Sequence, residues 1–130
     1  MKRAYPIIAK SDADGFYVVI PDFDSGTQGK DLVDAIEMAR DAIGLMGITW
    51  EDMGKELPEP DSAEKDLEDG DIVTYVDVDF VDYRRKYEKR SVKKNCTIPY
   101  WMSVQADKAH LNYSKVLQDA IANLLDISYT

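Results

Sequence analysis

Three groups of side chains have the types and spacing to do chemistry. Asp77 and Asp79 stand two residues apart, so a strand through them puts both carboxylates on one face. With Asp12 or Asp14 nearby, they could hold Mg²⁺ as in a metal-dependent nuclease. Lys93, Asn95 and Thr97 repeat the same spacing with different chemistry. A lysine donates to guanine, an asparagine pairs with adenine, and a threonine bonds either way, so this row suits DNA base edges. Asn112, Ser114 and Lys115 sit where a helix should begin. There the free N–H groups, a hydroxyl and an ammonium can face a phosphate. No Gly-rich phosphate loop and no paired cysteines for a metal are present, and nothing points to a cofactor.

Composition weighs these groups differently. The chain has 130 residues, 45% apolar, which suits one ordinary or two small globular domains. A single cysteine, Cys96, excludes an internal disulfide framework and fits a reducing cytosol. A single histidine, His110, argues against histidine-rich metal sites. No apolar run is long enough for a membrane span, and no secretion signal opens the sequence, so the expected location is cytoplasmic. The net charge of −9 argues, at first sight, against nucleic acid. Its distribution reverses that inference for the last third of the chain. Residues 1–83 hold 7 Lys/Arg and 21 Asp/Glu, a net of −14, whereas residues 84–130 hold 9 and 4, a net of +5. A sign change this sharp suggests two modules with different partners. With 21 acids in 83 residues, pairs such as Asp77 and Asp79 also arise by chance.

Hydropathy periods supply the elements that must position these residues. Residues 4–10 and 16–20 are β-rich runs around the turn signal Ser11-Asp12-Ala13-Asp14-Gly15, which predicts a hairpin. Residues 21–29 read as a loop with a short strand. Asp31 can cap a helix carrying Leu32, Ala35, Ile36, Ala39, Ile43 and Met46 on one face. Gly44 and Gly47 should weaken its end, with one further turn at 49–54 before Pro58 and Pro60. Residues 61–70 read as a charged loop. Ile72, Thr74, Val76, Val78 and Phe80 alternate with polar positions as in a half-buried strand. The predicted N-terminal module, residues 1–82, is therefore a small α+β sheet with one covering helix.

Residues 83–90 read as a basic linker that adds sequence-independent attraction to DNA. Residues 91–98 alternate as a strand, with Val92, Cys96 and Ile98 opposite Lys93, Asn95 and Thr97. Pro99 opens a short helix over 100–110, and Asn112 caps a second with Tyr113, Val116, Leu117, Ala120, Ile121 and Leu124 at helical spacing. Trp101 and Cys96 are expected in the core, and His110 at a helix end. A lone short strand with two helices cannot stand by itself. Pairing the strand with its twin in a second chain gives a ribbon-helix-helix, whose ribbon enters the DNA major groove. Residues 91–130 are thus the expected DNA-binding and homodimerisation module, with residues 91–98 forming the dimer and pairing of dimers into tetramers left open.

Tyr5-Pro6-Ile7-Ile8, Asp14-Gly15-Phe16-Tyr17-Val18, Pro21-Asp22-Phe23, Thr27-Gln28-Gly29 and the helix after Asp31 together resemble the HicB antitoxin family. Thr97-Ile98-Pro99-Tyr100-Trp101 and Leu111-Asn112-Tyr113-Ser114-Lys115-Val116-Leu117 are similar to that family's ribbon-helix-helix tail. Asp24-Ser25-Gly26 departs from it in being shorter than the family's usual loop. The resemblance implies a partial ribonuclease-H-like domain without catalytic residues. It implies that this domain blocks a HicA-type mRNA-cleaving toxin and that the tail represses the operon's own promoter. An RNA-cutting toxin needs a basic substrate face, which an acidic domain would find by electrostatic steering. The expected toxin contact lies at Asp22, Phe23, Asp24, Thr27 and Gln28. Two readings of other classes stand beside this one: a nuclease using Asp77 and Asp79, and a transcription factor whose N-terminal domain senses a small ligand.

Overall fold

The hairpin forms where the turn signal stands. In a computed structural model describing residues 2–60 and 67–127, β1 (Lys2–Asp12) pairs antiparallel with β2 (Gly15–Ile20). The Asp12 carboxylate accepts from the Asp14 N–H at 2.8 Å, and Gly15 takes φ 139°, which a side chain would resist. Residues 21–29, read as a loop with a short strand, contain that strand. Pro21–Phe23 makes one 3-10 turn, and β3 (Ser25–Gly29) pairs with β2. With β4 (Ile72–Asp79) on the other side of β1, the sheet order is β3-β2-β1-β4, all antiparallel. Of the stretch read as a charged loop, residues 61–66 lie outside the described residues.

One long helix, α1 (Leu32–Asp52), crosses one sheet face. Asp31 accepts from the Asp34 N–H at 2.8 Å, and Asp34 accepts from the Lys30 N–H at 2.9 Å, a reciprocal cap on otherwise unpaired donors. Tyr5, Ile7, Val18, Ile20, Val76 and Val78 from the sheet pack against Ala35, Ala39 and Ile43 of α1. Phe23 fills the end of this core, 5.0 Å from the Tyr5 ring and 5.3 Å from Trp50 between centroids. The Tyr5 hydroxyl donates to the Pro58 carbonyl at 2.7 Å, pinning the chain beyond α1 back onto the central strand.

Two expectations are corrected in this unit. The glycines do not end α1, which continues unbroken through Gly44 and Gly47 to Asp52. They are the points where another helix approaches. A Cβ on Gly44 would fall within the Tyr83 ring's van der Waals envelope, and one on Gly47 within that of Phe80. Both aromatics belong to α2 (Phe80–Tyr87), a helix that takes Phe80 from the end of the expected strand and runs into the stretch 83–90 read as a basic linker. Its charges masked it, yet they pair locally. Asp79 caps it by accepting from the Asp82 N–H at 3.1 Å. Arg84 donates to the Ile48 carbonyl at 3.1 Å, near the negative end of α1, and pairs with Asp52 at 2.8 Å and Glu88 at 3.2 Å.

Residues Met1–Lys89 form one compact unit and Arg90–Thr130 a second. In the second, α3 (Tyr100–Lys108) and α4 (Tyr113–Leu125) are joined by a turn in which His110, at the helix end as expected, takes φ 55°. Asn112 caps α4, accepting from the Lys115 N–H at 3.1 Å, as its position predicts. Residues 91–98, expected as a strand, are in neither helix nor strand. Pairing that segment requires a second strand, and Arg90–Thr130 contains no other strand among the described residues. Trp101 and Cys96, expected in the core, are exposed. Among the described residues of this unit only Ala106 and Ala122 are buried apolar side chains.

Gly47→Ala should destabilise the first unit by about 1–3 kcal/mol, because Phe80 would have to move or strain. Urea unfolding followed by far-UV circular dichroism measures it. Exposed, uncrowded Gly54, whose φ is 76°, is a poorer test, since there strain rather than crowding decides the cost.

Candidate functional site

The DNA-type residues occupy the second unit. Lys93, Asn95 and Thr97 are all exposed. Their alternates Lys94, Cys96 and Ile98 line an apolar hollow of about 510 Å³ with Tyr113, Val116 and Leu117 of α4. Val92, expected on the same face as Cys96 and Ile98, does not line the hollow and is 72% exposed. Ser114 lines the hollow's rim, and the Lys115 ammonium pairs with Asp119 at 2.7 Å along the helix. The cations read as a linker contribute less to a DNA surface than their number suggests. Arg84 is held by Asp52 and Glu88, and Arg85 and Lys86 both pair with Asp82.

The five residues expected to meet a toxin do not form one surface. Phe23 is a core residue, 7% exposed, because its ring is needed between Tyr5 and Trp50. Asp22 is half-buried beside it, and Asp24 is exposed with φ 48°. On β3, Thr27 is half-buried opposite Val18, on the α1 side of the sheet. Gln28 lies opposite Tyr17, on the face that α1 leaves uncovered.

Asp77 and Asp79 do not assemble a metal site. Arg40 of α1 reaches the edge of β4, donating to the Asp77 carboxylate at 3.1 Å and to its carbonyl at 3.0 Å. A guanidinium there competes with any cation. Asp79 spends an oxygen on the α2 cap. Among the described residues no three His, Cys, Asp or Glu side chains gather with metal-binding geometry.

Sequence reasoning missed a cleft of about 300 Å³ between α1, β4 and α2, lined in part by Glu37, Met38, Arg40, Tyr83 and Tyr87. It could not be found while α2 was read as a linker. Burial and the Asp41 carboxylate, which accepts from the Tyr83 hydroxyl at 3.0 Å, push the Tyr83 phenol up to about 12. That phenol is a fixed donor at neutral pH and offers no acid–base chemistry.

A family model described as the HicB_like antitoxin of bacterial toxin-antitoxin systems matches residues 5–124. No curated protein sequence matches the chain. Among solved structures, the chain is similar to one in a toxin–antitoxin complex from Streptococcus pneumoniae, with 26% identity and TM-score 0.59 over 95% of this chain and 99% of that one. It is also similar to a crystal structure of antitoxin HicB3, with 26% identity and TM-score 0.52 over 97% and 99% of the two chains. A 22% identical HicB antitoxin from Burkholderia pseudomallei shares the fold at TM-score 0.53, over 95% and 98% of the chains.

Three carboxyls are held below the ordinary aspartate value of 3.8: Asp71 by the Glu68 N–H and then Lys10, Asp77 by Arg40, and Asp82 by Arg85 and Lys86. A depressed folded-state pKa contributes stability that is complete above the unfolded value and lost as pH falls through the folded one. The thermal midpoint of the first unit should therefore hold from pH 7 to about 5 and fall below about pH 4. Asp77→Asn should flatten part of that fall in a pH series of calorimetric melts.

Proposed function

The chain belongs to the HicB-like antitoxin family of bacterial toxin–antitoxin systems, and from that premise we propose that it neutralises a HicA-type mRNA-cleaving toxin and represses its own operon. The first unit, a partial ribonuclease-H-like fold in this reading, occupies the toxin. The second dimerises as a ribbon-helix-helix and binds operator DNA. The solved S. pneumoniae neighbour, which spans nearly the whole length of this chain, belongs to a toxin–antitoxin complex.

The observation that carries the DNA half is the unfinished core of Arg90–Thr130. Thirteen large apolar side chains there are at least 36% exposed, among them Tyr100 at 84%, Leu124 at 83% and Val92 at 72%. An apolar surface of this extent has no stable place in water. A second copy resolves it. Two 91–98 segments pair as an antiparallel ribbon, and the four helices close over the hollow beside Cys96 and Ile98. Lys93, Asn95 and Thr97 then line the ribbon's outer face, at the spacing that reads base edges in a major groove. Asn112, Ser114 and Lys115 bring the start of α4 to the phosphates. The proposed antitoxin is not an enzyme, a reading supported by Arg40 on Asp77 and by the capping role of Asp79.

Lys93→Ala with Asn95→Ala should abolish binding to a duplex of the chain's own promoter in a gel-shift assay, and leave neutralisation of the toxin in a growth assay intact. Loss of both activities, or of neither, would overturn the separation of roles. Affinity for that duplex should fall steeply with salt, by about one order in log K per log salt for each phosphate contact. Neutralising Asp22 and Asp24 together should slow toxin association, and an unchanged rate would exclude that edge of the sheet.

A further inference from the structure

The face of the sheet that α1 leaves bare is not built for water. A sheet covered on one side normally alternates apolar-in and polar-out. Here the outward positions are also apolar. Register places Val19, Ile8 and Val73 in one row across β2, β1 and β4, since Ile8 pairs with both neighbours. Pro6 pairs with Tyr75 in the next row, and Tyr17 lies on β2 two residues before Val19. Pro6 and Ile8 are buried and Val19 and Val73 half-buried within this band, and its exposed parts are Tyr75, 65% exposed, and Tyr17, 45% exposed, at its two sides. By strand spacing the band measures about 10 Å across the strands and about 14 Å along them. β4 itself changes character along this face, from Val73 and Tyr75 to Asp77 and Asp79.

The band is also shaped. Tyr17 does not stand free. A Cβ on Gly26 would lie 2.9 Å from its hydroxyl and 3.3 Å from its ring, so the ring lies over the bare backbone of β3. That glycine gives the ring room to extend the apolar surface sideways rather than project into solvent. Flat aromatic platforms of this kind are typical anchors of protein interfaces.

We propose that this sheet face, through the exposed rings of Tyr17 and Tyr75, is where the toxin docks. The proposal rests on the antitoxin reading above and gives that reading its contact surface. Charge selects the occupant. Residues 1–89 hold 11 Lys/Arg and 22 Asp/Glu, a net of −11, so face-to-face pairing of two copies of this unit meets like-charge repulsion. A partner with an apolar centre and a basic rim meets attraction instead. The face is continuous with exposed Gln28 on β3, one of the residues expected to touch the toxin. The band is smaller than the ~800 Å² a standard interface covers on each partner, so it supplies the apolar centre and the surrounding acidic surface supplies the rim.

The test uses the full-length chain and the toxin encoded by its neighbouring reading frame, co-produced, separated in denaturant and refolded. Titration calorimetry compares the wild type with Tyr17→Arg/Tyr75→Arg, with the milder Tyr75→Ser, and with Val33→Arg on exposed α1. Circular dichroism melts confirm that each variant is folded. The double variant should bind the toxin at least thirtyfold more weakly, a loss typical of a central anchor. Tyr75→Ser should lose several-fold, and Val33→Arg should bind as the wild type does. If the wild type binds and the folded sheet variants bind equally well, the docking face is wrong and the antitoxin reading stands. If the wild type does not bind, both fall. If the double variant lowers the oligomeric state in light scattering while keeping its toxin affinity, a second copy occupies the face and the proposal is overturned.

Discussion

A single helix can cover only one face of a four-stranded sheet, and most of this structure follows from that limit. The 21 residues of α1 span about 31 Å, enough to bury Tyr5, Ile7, Val18, Ile20 and Val76 beneath them. Side chains on the opposite face have no helix to meet. Arg84 and the Gly44–Gly47 contact bring α2 against α1, on the side that is already covered. The added helix strengthens the existing core and does nothing for the bare face. A chain under selection only for stability would place polar residues there. The apolar row across Val19, Ile8 and Val73 departs from that pattern.

Arg90–Thr130 meets the same limit more severely. Two short helices and an extended segment enclose almost nothing between them, and small chains of this size rarely bury enough to fold alone. In both units large apolar side chains stay exposed: Tyr17 and Tyr75 on the sheet face that α1 leaves uncovered, and Tyr100, Leu124 and Val92 among those described in the second unit. Incomplete burial of this kind is a mark of proteins whose work is assembly. The cleft between α1, β4 and α2 holds a phenol hydrogen-bonded to Asp41 and salt-bridged surface charges.

Where the sequence was legible, the signal was local and periodic. The alternation of β4, the Asp31 cap and the Asn112 cap with the amphipathic α4 all formed as their patterns dictate, because each depends on neighbours within a few residues. The misreadings share a different cause. Phe80–Tyr87 was hidden because four of its eight residues are charged, and their partners Asp52 and Ile48 lie some thirty residues away. Gly44 and Gly47 looked like helix breakers, since nothing in their vicinity announces the rings of Tyr83 and Phe80. Phe23, expected at the toxin contact, is instead claimed by the rings of Tyr5 and Trp50. The expectations for Cys96 and Trp101 assumed burial, and a single copy provides none. For α2, the two glycines and Phe23 the deciding contact is remote in sequence.

The acidic excess of the first unit takes on a narrower meaning once its carboxylates are placed. Asp31, Asp34 and Asp79 terminate helices, Asp71, Asp77 and Asp82 pair with Lys10, Arg40 and Arg85, and Asp41 holds Tyr83. Much of the negative charge is therefore committed to the fold, and few of these groups are positioned to be recognised one by one. What survives at a distance is the summed field of a net −11, which speeds encounter with a basic partner and screens with salt. A field selects a sign, not a particular protein. Discrimination among basic partners must come from shape and from apolar area removed from water, the role we propose for the sheet face that carries Tyr17 and Tyr75.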